Sequence, residues 1–188
     1  MEIKLKHYMK SNFKYFILLF CITLLSSCAS DDNDGDSDLN NNIFSIGEVE
    51  TTIGSAFIRN FEEQGSGVYD WDIILVSNDV IIDTGVPFFD ASGFGSVIYI
   101  DILSDNPNGV TPGTYNLNQN GAAFSIDGIE AIPNKNFDDG VVENDVRIGE
   151  TGTLLVEGIA SDITLTLSVT SFDGTIITAS YNGSLQLY

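Results

Sequence analysis

Histidine and cysteine are almost absent from this chain. His7, Cys21 and Cys28 are the only ones among 188 residues, so residues 29–188 contain neither type. This absence excludes Ser–His and Cys–His catalysis from that segment, together with internal disulfides and zinc sites built from imidazole or thiolate ligands. The chemistry left is that of carboxylates: glycoside hydrolysis by two acids, or calcium binding through oxygen.

Positive charge is equally scarce. Four of the seven basic residues and one of the 27 acidic residues lie before residue 28, which leaves 3 basic residues, 26 acidic residues and a net charge of −23. The three cations are Arg59, Lys135 and Arg147. Nucleic acids and anionic lipid headgroups are bound by clustered cations, so the composition predicts neither partner and no phosphate clamp.

A helix-length apolar run occurs only near the N-terminus. Tyr15–Leu25 is eleven residues long and follows four lysines, at positions 4, 6, 10 and 14. It is too short to span a bilayer, and it has the length of a signal-peptide hydrophobic region. A buried core helix or an uncleaved signal anchor are the alternatives, but we predict a signal peptide over residues 1–27.

The junction at Cys28 resembles the lipobox of bacterial lipoproteins. Leu25-Ser26-Ser27-Cys28 ends the apolar run, and the segment after it is rich in aspartate from Asp31 to Asp38. The resemblance implies that Cys28 carries fatty acids such as palmitate and anchors the chain to the outer membrane. The acidic residues directly after this cysteine are similar to the surface-export signal of Bacteroidota lipoproteins. They also suit a solvated spacer. We therefore expect residues 28–42 to form an acidic flexible tether, with the domain exposed at the cell surface.

Residues 43–188 have the pattern of a single all-β domain. Apolar and polar residues alternate with a period of two, most clearly in 163–170 and 177–187, and about nine or ten short runs are separated by Gly, Asn, Asp and Pro. No apolar stripe of helical period runs for three turns beyond residue 27. These features predict an antiparallel meander forming a β-sandwich or a barrel, without deciding between the two.

The last hairpin has a register that can be derived. A two-residue turn at Asp173-Gly174 would set Val169 against Thr178 and bury threonines. A three-residue loop, Phe172-Asp173-Gly174, sets Val169 against Ile177 and places Gly174 in the left-handed position that glycine favours. We predict the three-residue loop.

Several short motifs resemble the small β-rich lipoproteins that are abundant in Bacteroidota. They are Tyr69-Asp70-Trp71-Asp72, Ile98-Tyr99-Ile100-Asp101, Pro112-Gly113-Thr114-Tyr115 and the terminal Asp-Gly hairpin. The resemblance covers most of residues 43–188 and implies a β fold on a lipid anchor. These proteins mostly lack an assigned activity, so the resemblance implies no site residues.

Two aromatic pairs are candidate ligand-binding residues. Tyr69 and Trp71 would stack on sugar rings if exposed, but they share a strand face with apolar residues and favour the core, with Asp70 and Asp72 solvated opposite. Phe88 and Phe89 lie in a glycine-rich segment that suits either a binding edge or a cap over the end of a barrel.

Acidic residues suggest a second candidate site. Asp138, Asp139, Glu143 and Asp145 lie in an irregular stretch, residues 133–150, and would gather calcium if their carboxylates converged. Otherwise they are solvated surface. No other cofactor is indicated, and no catalytic acid pair can be singled out among 26 acids.

The sequence favours a non-enzymatic surface module, anchored to the membrane through Cys28, that binds a glycan or an envelope protein. The alternatives are a structural envelope component, a lipocalin-like carrier and a carboxylate-dependent glycosidase. A carrier needs an apolar cavity, whereas a glycosidase needs a cleft with two facing acids.

Overall fold

The computed structural model describes residues 42–86 and 90–188. The predictions for the signal peptide, Cys28 and most of the tether fall outside these residues. Eleven strands make up the described fold: β1 Ile43–Ile46, β2 Val49–Gly65, β3 Val68–Ser77, β4 Val80–Ile82, β5 Ala91–Ser104, β6 Gly113–Leu117, β7 Ser125–Asn136, β8 Arg147–Ile159, β9 Asp162–Ser171, β10 Ile176–Gly183 and β11 Gln186–Leu187. The only helices in this part of the chain are two 3-10 turns, Phe137–Asp139 and Glu143–Asp145.

The all-β prediction is confirmed, and the architecture is a closed barrel of nine strands. The order around the barrel is β1-β10-β9-β8-β6-β7-β5-β3-β2, and pairing of β1 with β2 closes it. Neighbouring barrel strands are antiparallel except β6 and β7, which pair in parallel. Two strands lie outside the ring: β4 pairs with β5, and β11 pairs in parallel with β2. No helix in the described residues has the length and apolar character required to cross a bilayer.

The barrel interior is filled by the inward-facing residues of its strands. Ile73, Leu75, Ile98 and Ile100 each have no exposed surface, and Tyr115 is equally buried. The Tyr115 hydroxyl donates a hydrogen bond of 2.7 Å to the carbonyl oxygen of Thr111, which satisfies its polar end. The alternation seen in the sequence therefore corresponds to an inner and an outer wall.

A second apolar cluster lies on the outer wall of β2, β3, β5 and β7. Strand β4 and the turn Phe137–Asp139 cover this side of the barrel. The buried members of the cluster are Phe57, Ile74, Val76, Val80, Ile82, Val97, Ile132 and Phe137. Strand β3 is consequently buried on both faces from Trp71 to Ser77.

The predicted register of the terminal hairpin is confirmed. Val169 pairs with Ile177, Leu167 with Ala179 and Leu165 with Tyr181. Gly174 has a φ of +84°, and its amide donates to the carbonyl oxygen of Ser171 over 2.9 Å. The three-residue loop keeps the apolar side chains of both strands in the barrel interior.

The predicted irregular stretch is shorter than expected. Strand β7 continues to Asn136 and β8 begins at Arg147, so only the central part of residues 133–150 leaves the sheet. The strands extend this far because β7 pairs with β5 up to Asn136 and with β8 at Ala131 and Arg147.

Candidate functional site

A row of charged side chains crosses the outer wall of the barrel. Arg59 on β2 is paired in register with Asp72 on β3, and Asp72 with Asp101 on β5. The next position in the row, on β7, is Gly128. The flanking residues of each strand point inward, which places these side chains outside the barrel on the side that carries the second apolar cluster.

Asp72 and Arg59 form a buried ion pair. The Arg59 Nη2 and Nε atoms donate to Asp72 Oδ2 at 2.8 Å and 3.2 Å, and the Asp72 side chain is 1% exposed. Burial raises the pKa of Asp72, while hydrogen bonds from Tyr99 and Arg59 oppose that shift. The prediction that Asp72 is a solvated surface residue was wrong, because the outer wall of β3 is covered.

Two aromatic rings contact the guanidinium of Arg59. The Arg59 Cζ atom lies 4.2 Å from the ring centroid of Phe61 and 4.7 Å from that of Tyr188. Tyr188 is positioned by a backbone hydrogen bond of 3.0 Å from its amide to the carbonyl oxygen of Ile58. The cation therefore has a charge partner and stacking partners, which fix its geometry.

The side-chain carboxylates of Asp70, Asp72 and Asp101 lie close together on the outer wall. One carboxylate oxygen from each lies within 4.8 Å of the others. Asp70 Oδ2 accepts a hydrogen bond of 2.9 Å from Gln64 Nε2, but the Oδ1 atoms of Asp70 and Asp101 are buried without a hydrogen-bond partner. Burial is the largest cause that raises the pKa of Asp101 to about 8. The charge of Asp70, a hydrogen bond that protonated Asp101 donates to Asp70, and the charges of Asp72 and Asp127 raise it further. This cluster is the set of described residues with the geometry to hold a metal ion.

A groove adjoins the cluster on the same wall. Its volume is about 380 Å³ and it opens to solvent. Val97 and Ile132 supply an aliphatic surface, and Val141 belongs to the loop between the two 3-10 turns. Arg59, Tyr99 and Glu130 complete the lining. Because Arg59 and Tyr99 also contact Asp72, the groove and the carboxylates form one continuous site.

Tyr69 and Trp71 do not contribute to this groove. Trp71 is 5% exposed, packs in the barrel interior and donates from Nε1 to the carbonyl oxygen of Asn106 over 3.2 Å. Tyr69 is half-buried and packs against the same interior cluster. This agrees with the interpretation of the pair as core residues and leaves no flat aromatic platform at this position. Phe88 and Phe89 lie outside the described residues.

The structure does not bring the four loop acids together as a metal site. Asp138 accepts a hydrogen bond from the Gly93 amide, and Asp139 accepts one from the Asn136 side chain. Asp145 caps the Val142 amide and forms an ion pair of 2.7 Å with Lys135. Glu143 is exposed. These contacts stabilise the loop itself.

The carboxylate cluster was missed by sequence reasoning although its motifs were recognised. Asp70, Asp72 and Asp101 each interrupt an apolar strand, and alternation alone assigns such residues to a wet face. The sequence did contain a signal for this burial. Apolar residues occupy both faces of residues 97–103, so Asp101 within this segment has apolar neighbours instead of solvent.

No protein-family model, curated protein or solved structure was found to match this chain.

Proposed function

We propose that this protein is a lipid-anchored module of the bacterial outer membrane, exposed at the cell surface, that binds a partner without catalysing a reaction. The single observation that carries the binding role is the solvent-open groove of about 380 Å³ on the outer wall. Its aliphatic lining and its stacked, ion-paired Arg59 combine an apolar surface with fixed polar groups, which is the composition of binding sites.

A segment of an envelope protein suits this groove better than a glycan. Val141, 42% exposed, offers an aliphatic contact at the rim, and the nearly buried Val97 and Ile132 form the floor of the groove. Sugar rings are instead held mainly by flat, exposed aromatic faces. Trp71, the only tryptophan of the chain, is enclosed in the barrel. The partner is cationic or neutral, because the chain beyond Cys28 carries 26 acidic residues against three cations.

The alternatives have weaker support. A lipocalin-like carrier would place its ligand inside the barrel, where the large side chains of Phe44, Trp71 and Tyr115 fill the described interior. A glycosidase would use a protonated acid, and the raised pKa of Asp101 fits that role in part. However, the Oδ1 atoms of Asp70 and Asp101 are buried, so a glycosidic oxygen has no approach to them. A structural envelope component remains the second candidate.

Photo-crosslinking in intact cells tests the binding role. A photoreactive amino acid replaces Val141, which is 42% exposed at the groove, and in a matched variant replaces Thr166, which is exposed on β9. We expect a discrete adduct from position 141 and none from position 166. Equal labelling at both positions, or none at either, would instead favour the structural component. A glycan array probed with the intact protein in detergent, with and without calcium, tests the competing ligand class.

The anchor is tested separately. Cells grown with labelled palmitate should yield a labelled protein, and the Cys28→Ala variant should carry no label. Protease added to intact cells should remove the domain if it faces outward. Recovery of an unlabelled, full-length chain from the cytosol would refute both the anchor and the location.

A further inference from the structure

We propose that Asp70, Asp72 and Asp101 bind a divalent cation, Ca²⁺, on the outer wall of the barrel. The inference is independent of the groove's partner, since it rests on the charge and the oxygen geometry of these three residues. It also differs from the calcium site expected in the loop of Asp138 and Asp145.

The first argument is charge balance. Three carboxylates meet where Asp72 is buried and Asp70 and Asp101 are half-buried, and among the described residues the cation in contact with them is Arg59, bound to Asp72. The ionised cluster therefore has a net charge of −2, with Asp72 only 1% exposed. Buried charge without a partner costs several kcal/mol, so all three carboxylates can be ionised together only when a compensating positive charge is bound at this point. One divalent cation supplies it.

The second argument is the pair of unsatisfied oxygens. Oδ1 of Asp70 and Oδ1 of Asp101 are buried and have no hydrogen-bond donor. Buried polar atoms in native proteins nearly always have a partner, so two such oxygens at one point require either a proton between the carboxyl groups or a bound cation. These two atoms belong to the carboxylates that converge, and a cation between them would satisfy both.

The third argument concerns size and ligand type. The converging atoms are all carboxylate oxygens, which favour hard cations, and no nitrogen or sulfur atom is available in the cluster. Two ligands on one Ca²⁺ lie up to roughly 5 Å apart, because each bond is about 2.3–2.6 Å, whereas two ligands on Mg²⁺ lie at most about 4 Å apart. The three oxygens lie within 4.8 Å of one another, so every separation falls inside the span that Ca²⁺ bridges.

The neighbouring strand leaves space for water ligands. Gly128 faces Asp101 from β7, and a Cβ atom at this glycine would approach only the Asp101 Cβ, at 3.8 Å. No side chain from this position covers the carboxylate. Water molecules entering there would raise the coordination number above the three that the protein supplies.

Calcium titration of the intact protein in detergent, after treatment with EDTA, tests the site. Isothermal titration calorimetry should give one strong site for CaCl₂ and weaker binding of MgCl₂, and Ca²⁺ should raise the unfolding temperature. Asp101→Asn removes the charge without changing size, so we expect it to fold in EDTA and to lose the calcium-induced shift. Asp139→Asn, in the exposed loop, is the matched control and should keep it.

Two results would overturn the proposal. A calcium response that is the same in Asp101→Asn as in the wild type would place the ion elsewhere. The absence of a calcium response in the wild type, together with a gain in stability of Asp101→Asn in EDTA, would show that a proton shared by Asp70 and Asp101 neutralises the cluster. If Asp101→Asn fails to fold, Asp70→Asn provides the same comparison.

Discussion

Removal of the Arg59 guanidinium should destabilise the barrel far more than removal of its partner's charge. Arg59→Met keeps the aliphatic stem but leaves Asp72, 1% exposed, beside Asp70 and Asp101 without a cation. An uncompensated buried charge costs about 3–5 kcal/mol. The lost contacts with the rings of Phe61 and Tyr188 add about 0.5–1 kcal/mol each.

Asp72→Asn should lower the free energy of unfolding much less than Arg59→Met does. The amide oxygen still accepts from Arg59, and one negative charge leaves a cluster in which Asp72 raises the pKa of Asp101 through repulsion. We expect a loss of only about 1–2 kcal/mol, the value of a weakened charged hydrogen bond. The asymmetry between the two variants follows from an excess of acid at the site, because a simple isolated ion pair would lose similar amounts from either side.

Urea unfolding at pH 7 in EDTA measures both variants. The fluorescence of Trp71 is a direct probe, since it is the only tryptophan and is buried in the barrel. A loss below about 1 kcal/mol for Arg59→Met would contradict the buried-pair argument. Equal losses of unfolding free energy in both variants would contradict the inference that negative charge exceeds positive charge at this site.

Three further predictions concern the barrel and its terminal hairpin. Leu75→Ala, at a position without exposed surface, should lower the free energy of unfolding by about 2–5 kcal/mol, measured by urea titration. Tyr115→Phe removes the bond to the Thr111 carbonyl and should cost about 0.5–1.5 kcal/mol in the same assay; no loss would mean that water replaces the hydroxyl. Hydrogen bonds from Ser171 and Thr175 lower the pKa of Asp173 to about 2. The stabilisation from Asp173 is therefore present above pH 4 and is lost as the pH falls towards 2, so acid unfolding of Asp173→Asn should lack this component.

The terminal hairpin was predictable because its information is local. Alternation fixes which residues of 163–170 and 177–187 face inward, and a single glycine, Gly174, decides between two loop lengths. The core position of Trp71 followed from the same alternation. Each inference needed only residues close in sequence, together with the rule that opposed residues share a face.

Barrel closure and the carboxylate cluster depend on distant residues. The ring closes where β1 pairs with both β2 and β10, and β1 is only four residues long. Asp72 is buried beside Arg59 on β2 and Tyr99 on β5, on an outer wall that alternation assigns to solvent. A sequence pattern records the period of a strand but not whether a second layer covers its other face.

The outer layer makes the barrel wall thick on one side and thin on the other. Strands β3 and β5 have apolar neighbours on both faces, whereas β9 alternates between a buried and a largely exposed face. Amide hydrogens of β3 and β5 should therefore exchange with deuterium last, through global unfolding, while those of β9 exchange through smaller local openings. Temperature or denaturant would accordingly loosen the barrel from its thin side first, leaving the wall that carries the groove as its most persistent part.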